Sequence, residues 1–299
     1  MAISQVRAQI NGTWYTLTLS STNTYTATIT APGSTSYTKT GGYYDVTVEA
    51  TNTAGTVTTQ NASGLSTLKL IVKEKVAPVI TILTPTSGAY VVNNKQPVTF
   101  TIVDEAGGSG INLSTLVVKQ DNTAVASSTI TSTAITNGYS VTYTPATALS
   151  DGSHTVTISV SDNDGNAATA KSTTYKVDTV PPTLNITAPA NGLVTNATSL
   201  VVRGTTNDAS SSPVTVKITL RGTDQGTITV GSDGVFSKTL TLAEGSNTIV
   251  ITATDSAGKS SSVTRTVTLD TTKPVIKSAV ITPNPVDAGT SMVITVVVE

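Results

Sequence analysis

Apolar and polar residues alternate with a period of two through much of this chain, as in "DVTVEAT" (45–51), "HTVTISV" (154–160), "NTIVITAT" (247–254) and "SMVITVVV" (291–298). That period sends successive side chains to opposite faces of a pleated strand, so each run predicts a β-strand with one buried face. No window of twelve or more residues keeps a helical period. Between the runs stand Asn137-Gly138, Asp151-Gly152, Asn191-Gly192 and Asp233-Gly234, dipeptides suited to tight turns between antiparallel strands. The pattern predicts an all-β protein.

The strands repeat. "YYDVTVEATNTAGTVTT" (43–59), "SHTVTISVSDNDGNAAT" (153–169) and "SNTIVITATDSAGKSSS" (246–262) superpose without gaps, each a strand, an Asx/Gly turn and a second strand. A proline phrase follows each: "VKEKVAPVI" (72–80), "VDTVPPTLNI" (177–186) and "TLDTTKPVI" (268–276). The turn glycines Gly55, Gly165 and Gly258 lie roughly one hundred residues apart, the size of one β-sandwich. A proline just ahead of a first strand cannot donate to a ladder and restricts its predecessor, so the phrases predict stiffened joints between domains.

The repeat is out of phase with the ends of the chain. "SQVRAQINGTWYTLTLSSTNTYTATITAP" (4–32) matches "VTVKITLRGTDQGTITVGSDGVFSKTLTL" (214–242), a segment that in its own repeat follows two earlier strands. "PVIKSAVITPNPVDAGTSMVITVVVE" (274–299) matches the opening of the second repeat, "PVITILTPTSGAYVVNNKQPVTFTIVDE" (78–105). The expected organisation is therefore an incomplete domain over 1–76, complete domains over 77–178 and 179–271, and the opening strands of a further domain over 272–299. The two end pieces together make about one repeat. Alone, the C-terminal piece is a hairpin with apolar residues on both faces, marginal in water and prone to edge pairing. Its strand offers Met292, Ile294, Val296 and Val298 on one face, and the acceptor core of 1–76 is expected to include Trp14, Tyr15, Val46 and Val48. Burying each such side chain contributes ~1.5–3 kcal/mol. The expectation is strand complementation, with 274–299 completing 1–76 of another copy and giving a filament, or a ring if the rotation closes.

The strand–turn–strand segments and the "VDTVPP" phrase resemble bacterial Ig-like tandem repeats, found in bacterial surface proteins and in tail proteins of phages of Gram-positive hosts. The resemblance covers most of the chain and implies tandem Ig-like β-sandwiches, to which the phase of the repeat adds a split terminal domain. It implies little about chemistry, because the sandwich serves as spacer and platform in unrelated systems.

Composition narrows the function. The 62 threonines suit half-exposed strands. With 12% charged residues and a net charge of −1, nothing favours nucleic acid or an anionic membrane. There is no cysteine, hence neither disulfide nor thiolate metal site. The single histidine, His154, has Ser153 and Asp151 nearby, but strand neighbours point to opposite faces and no nucleophile elbow is present, so it is expected on a strand surface. No enzyme activity and no cofactor are expected. Asp162, Asp164 and linker Asp178 could hold Ca²⁺ through oxygen ligands, as could Asp104-Glu105, but Asp and Asn there are also what tight turns require, and the first linker offers Glu74 and Lys75 instead of a carboxylate cluster.

The leading expectation is a structural protein of a phage or phage-like particle, in the tail or an appendage, partnered by its own copies and by other particle proteins. The N-terminus shows no basic region leading into an apolar core, which fits assembly in the cytoplasm, release by lysis and residence in a virion or extracellular particle. The alternative is a bacterial surface adhesin or pilus-like fibre recognising a cell-surface glycan or protein.

Overall fold

A computed structural model describes residues 2–226 and 228–299. It is built from strands; among the described residues the helical elements are three single 3-10 turns, and no helix is long and apolar enough to cross a membrane. The chain divides into two compact units, residues 1–179 and 180–299.

The first unit begins with β1 (Ile3–Ile10), β2 (Thr13–Ser21), β3 (Thr24–Thr26), β4 (Tyr44–Asn52), β5 (Val57–Gln60) and β6 (Lys69–Leu70). They form a single sheet ordered β3-β2-β1-β4-β5, with β6 also pairing β4. Asn11 (φ 48°) and Gly12 (φ 84°) make the two-residue connection of β1 and β2, a left-handed pair that Asn-Gly tolerates.

The same unit continues with β7 (Val79–Thr84), β8 (Tyr90–Val91), β9 (Val98–Val103), β10 (Ile111–Gln120), β11 (Thr123–Ala124), β12 (Ile130–Ile135), β13 (Gly138–Tyr143), β14 (Gly152–Asp162) and β15 (Lys171–Val177). Here there are two sheets, β12-β13-β9-β7 and β11-β10-β14-β15-β8. Alternation does the packing: Val98, Phe100 and Ile102 from β9 meet Val156, Ile158 and Tyr175 from the other sheet, all fully buried.

The second unit repeats this plan with β16 (Thr183–Ala188), β17 (Leu193–Thr195), β18 (Ser199–Asn207), β19 (Thr215–Leu220), β20 (Thr223–Asp224), β21 (Val235–Thr241), β22 (Gly245–Thr254) and β23 (Ser260–Leu269). Sheets β16-β18-β21 and β17-β23-β22-β19-β20 enclose Val202, Phe236, Leu240, Ile218, Ile249 and Ile251. The unit ends in a two-stranded antiparallel hairpin, β24 (Ile276–Thr282) and β25 (Val293–Val298). Every residue from 270 to 299 is exposed.

Candidate functional site

The sheet over residues 1–76 has one layer. Its strand order β2-β1-β4-β5 corresponds to β11-β10-β14-β15 of the complete sandwich, and the described residues contain no counterpart of the second sheet. The pairing fixes what its faces carry. Val6, Ala8 and Ile10 lie opposite Ala50, Val48 and Val46 on one side, and opposite Leu17, Tyr15 and Thr13 on the other. Residues directly opposed share a face. Tyr15, Val46 and Val48 therefore join Val6 and Ala8 on one apolar face, where Val6 and Ala8 are buried and the other three half-buried. Neither cluster of buried apolar side chains that fills the two sandwiches reaches this sheet.

Trp14 does not belong to that face, which corrects the sequence expectation. It pairs with Gln9, one residue out of phase with Tyr15, and the Arg7 guanidinium lies 4.1 Å above its ring. Arg7 also bonds Glu49, Nη2 to Oε2 at 2.7 Å. A strand sends neighbours to opposite sides, so Trp14 and Tyr15 cannot line the same surface.

The hairpin has the opposite composition: strands without a sheet to cover. Ile281 pairs with Ile294 and Ala279 with Val296, in the register by which Ile82 pairs with Phe100 and Ile80 with Ile102. Phe100 and Ile102 are 0% exposed, whereas Ile294 and Val296 are 59% and 48% exposed. Val298 faces Ile276 on the same side, and Met292, two residues before Ile294, is also exposed. The predicted donor residues thus line up on one face.

Acidic residues gather elsewhere than the Asp162, Asp164 and Asp178 set. Those three do not converge. Asp162 Oδ1 accepts the N–H groups of Gly165 and Asn166, the Asx-turn role, and its Oδ2 accepts from Asn166 Nδ2. Asp164 Oδ2 accepts from the Thr35 hydroxyl at 2.5 Å and from the Glu74 N–H at 3.0 Å, joining the first sheet and its linker to the β14–β15 turn. Asp178 is buried just past β15, its N–H donating to the Val91 carbonyl. One convergent group is Glu74, Asp104 and Glu105, with one carboxylate oxygen of each within 4.8 Å of the other two. Glu74 of the first linker is brought there by the Ser109 N–H, which donates to its Oε1 just past the end of β9. Burial pushes the Asp104 carboxyl above the usual carboxylate range; the Gly110 N–H counters this, and Glu74, Asp162 and Asp164 add to it.

His154 is buried, 8% exposed, and not on a strand surface. It stands in phase with Val156 and Ile158 on the inner face of β14. The aligned positions Tyr44 and Asn247 are buried too. Its Nδ1 lies 2.7 Å from Asp121 Oδ2 and its Nε2 lies 2.8 Å from the Ser150 carbonyl. Both partners are acceptors, so the imidazolium, in which both ring nitrogens donate, is the form that satisfies both contacts. Burial alone would lower its pKa; the Asp121 and Ser150 contacts outweigh burial and raise it above the ordinary 6.5. Both ring nitrogens of His154 are thus engaged in holding β14 to Asp121 and the Ser150 carbonyl.

Residues 84–179 match the bacterial Ig-like domain family, and residues 182–271 match the family of glucodextranase domain B. No curated protein matches the chain. Among solved structures, the fibronectin(III)-like modules of Clostridium thermocellum CbhA share 16% identity over 64% of this chain and 94% of theirs, TM-score 0.40. Titin domains A168-A170 share 11% over 76% and 74%, TM-score 0.41. Sidekick-1 immunoglobulin domains 1-5 share 14% over 92% and 56%, TM-score 0.38.

Proposed function

We propose that this bacterial Ig-like tandem protein is a structural component of a phage or phage-like particle, in its tail or an appendage, and that copies join head to tail by strand complementation. One observation carries the reading: a hairpin in the register of a core hairpin exposes its core face, while residues 1–76 have a sheet without a partner layer. In each joint β24 and β25 of one copy supply the two strands that β7 and β9 supply to the complete sandwich. Met292, Ile294, Val296 and Val298 then cover Tyr15, Val46 and Val48. At ~1.5–3 kcal/mol per buried side chain, four donors outweigh the ordering of a short hairpin. Main-chain pairing supplies affinity and the alternate side chains supply register.

A bacterial surface adhesin or pilus-like fibre would use the same joint, and the bacterial Ig-like match at 84–179 suits it equally. The two readings differ in where the polymer resides. Negative-stain electron microscopy of the full chain and of a truncation lacking 274–299 tests the joint. Filaments or rings that appear with rising protein concentration and vanish on truncation support it; short monodisperse rods in both samples overturn it. Antibody labelling then separates the settings, particles released by lysis for the first reading and intact cell surfaces for the second.

A further inference from the structure

Each of the Glu74, Asp104 and Glu105 carboxylates has a buried oxygen without the partner such atoms ordinarily have. Glu74 Oε1 accepts from the Ser109 N–H and Asp104 Oδ2 from the Gly110 N–H at 2.7 Å, but Glu74 Oε2, Asp104 Oδ1 and Glu105 Oε2 are buried without a hydrogen-bond partner. Asp104 is 3% exposed. The ion pairs found among the described residues involve none of the three. Three carboxylates with oxygens within 4.8 Å of one another, each with a buried oxygen lacking a partner, repel strongly unless a positive charge sits between them.

We propose that these three carboxylates bind one calcium ion at the joint between the first sheet and the complete sandwich. The donors are all oxygen, with no imidazole or thiolate in the group, which favours a hard cation over zinc. Their origin gives the site a mechanical role. Glu74 belongs to the linker between β6 and β7, while Asp104 and Glu105 leave the end of β9. The ion ties linker to sandwich, working with the Thr35 and Glu74 bonds to Asp164. The inference is independent of assembly by strand exchange.

The test uses the full chain freed of metal by chelation, titrated calorimetrically with CaCl₂, beside Glu105→Gln and Asp104→Asn variants. The expected result is a calcium stoichiometry one lower in each variant than in the parent. Equal stoichiometry in all three overturns the proposal, as does displacement of the bound ion by equimolar magnesium. A second reading needs no calorimetry. Lys73 and Lys75 are exposed in the linker, so trypsin can cut there. Calcium at about ten times its dissociation constant should slow that cleavage about tenfold in the parent, since cleavage follows the opened population. The Glu105→Gln protein, which keeps Asp104 and its bond to Gly110, should show no slowing; protection by calcium in both proteins overturns the proposal.

Discussion

β9 and β25 are nearly the same strand in two situations. "VTFTIV" (98–103) and "VITVVV" (293–298) each pair antiparallel with a preceding strand, and each carries a column of apolar residues at alternate positions, 98, 100 and 102 in the first and 294, 296 and 298 in the second. One is at the centre of a core and the other is exposed along its whole length. The difference is not in local sequence but in what lies opposite: β9 faces β14 and β15, and the hairpin faces nothing within its own unit. A hydrophobic alternation specifies a strand and a face, and only a second layer turns that face into stability.

The sharpest way to break the comparison is to truncate equivalent residues. Phe100→Ala should destabilise the complete sandwich by about 3–5 kcal/mol, since it empties a fully enclosed site. Ile294→Ala in the isolated monomer should cost no more than about 0.5 kcal/mol, as for an exposed position. Thermal unfolding of both variants checks this. If Ile294→Ala destabilises the monomer as Phe100→Ala does, the hairpin is already covered and the comparison fails. Ile294→Lys goes further, placing a charge where the complemented joint needs an apolar side chain. It should leave monomer unfolding unchanged while abolishing filaments by electron microscopy, and assembly that survives the lysine would remove Ile294 from the interface.

The sandwich also holds a charge pair at the edge of its core, with His154 buried and Asp121 exposed. His154 is raised and Asp121 is lowered; burial alone would raise Asp121, but the bonds from His154 and the Thr155 N–H overcome it. The histidine's contribution is fully present below pH 6.5 and is lost as pH rises through its elevated folded value. The aspartate's is present above pH 3.8 and is lost as pH falls through its lowered folded value. Stability from the pair is therefore greatest between those limits. His154 is the single histidine, so its NMR titration can be followed alone. The midpoint should lie above 6.5 in the parent and fall in Asp121→Asn, which should also lose about 0.5–1 kcal/mol below pH 6, the 45% exposure of the Asp121 side chain screening the pair. A midpoint at or below 6.5 in the parent would refute the imidazolium assignment.

Much of this was legible in the sequence because strands announce themselves by period. The all-β fold and the tandem sandwiches follow from alternation and turn dipeptides. His154 was misplaced although the signal was there: it is in phase with Val156 and Ile158, and Tyr44 and Asn247 share its buried column. Polarity suggested a surface, but phase decides burial on a strand. The acidic group was less legible for a different reason. Glu74 lies 30 residues before Asp104 in sequence, and only the path of the linker past β9 brings them together. Asp162 looked like a ligand because turn chemistry and calcium chemistry use the same side chains, and the hydrogen bonds assign it to the turn.

Trp14 gives a small effect and a clean test of which face of the first sheet is the acceptor. It is the only tryptophan, so emission from the whole chain reports its surroundings. Arg7 stacks on it and pairs with Glu49, an arrangement with the Arg7 side chain 39% exposed. Arg7→Ala should therefore cost only about 0.5–1 kcal/mol, with a smaller loss at high salt. Assembly through the Tyr15, Val46 and Val48 face leaves Trp14 on the far side of the sheet, so its emission maximum should stay fixed as filaments form. Tyr15→Ser on the opposite face should suppress assembly while leaving that emission unchanged. A blue shift of Trp14 on assembly, with Tyr15→Ser assembling normally, would reverse the faces and put the Arg7 side of the sheet beneath the incoming hairpin.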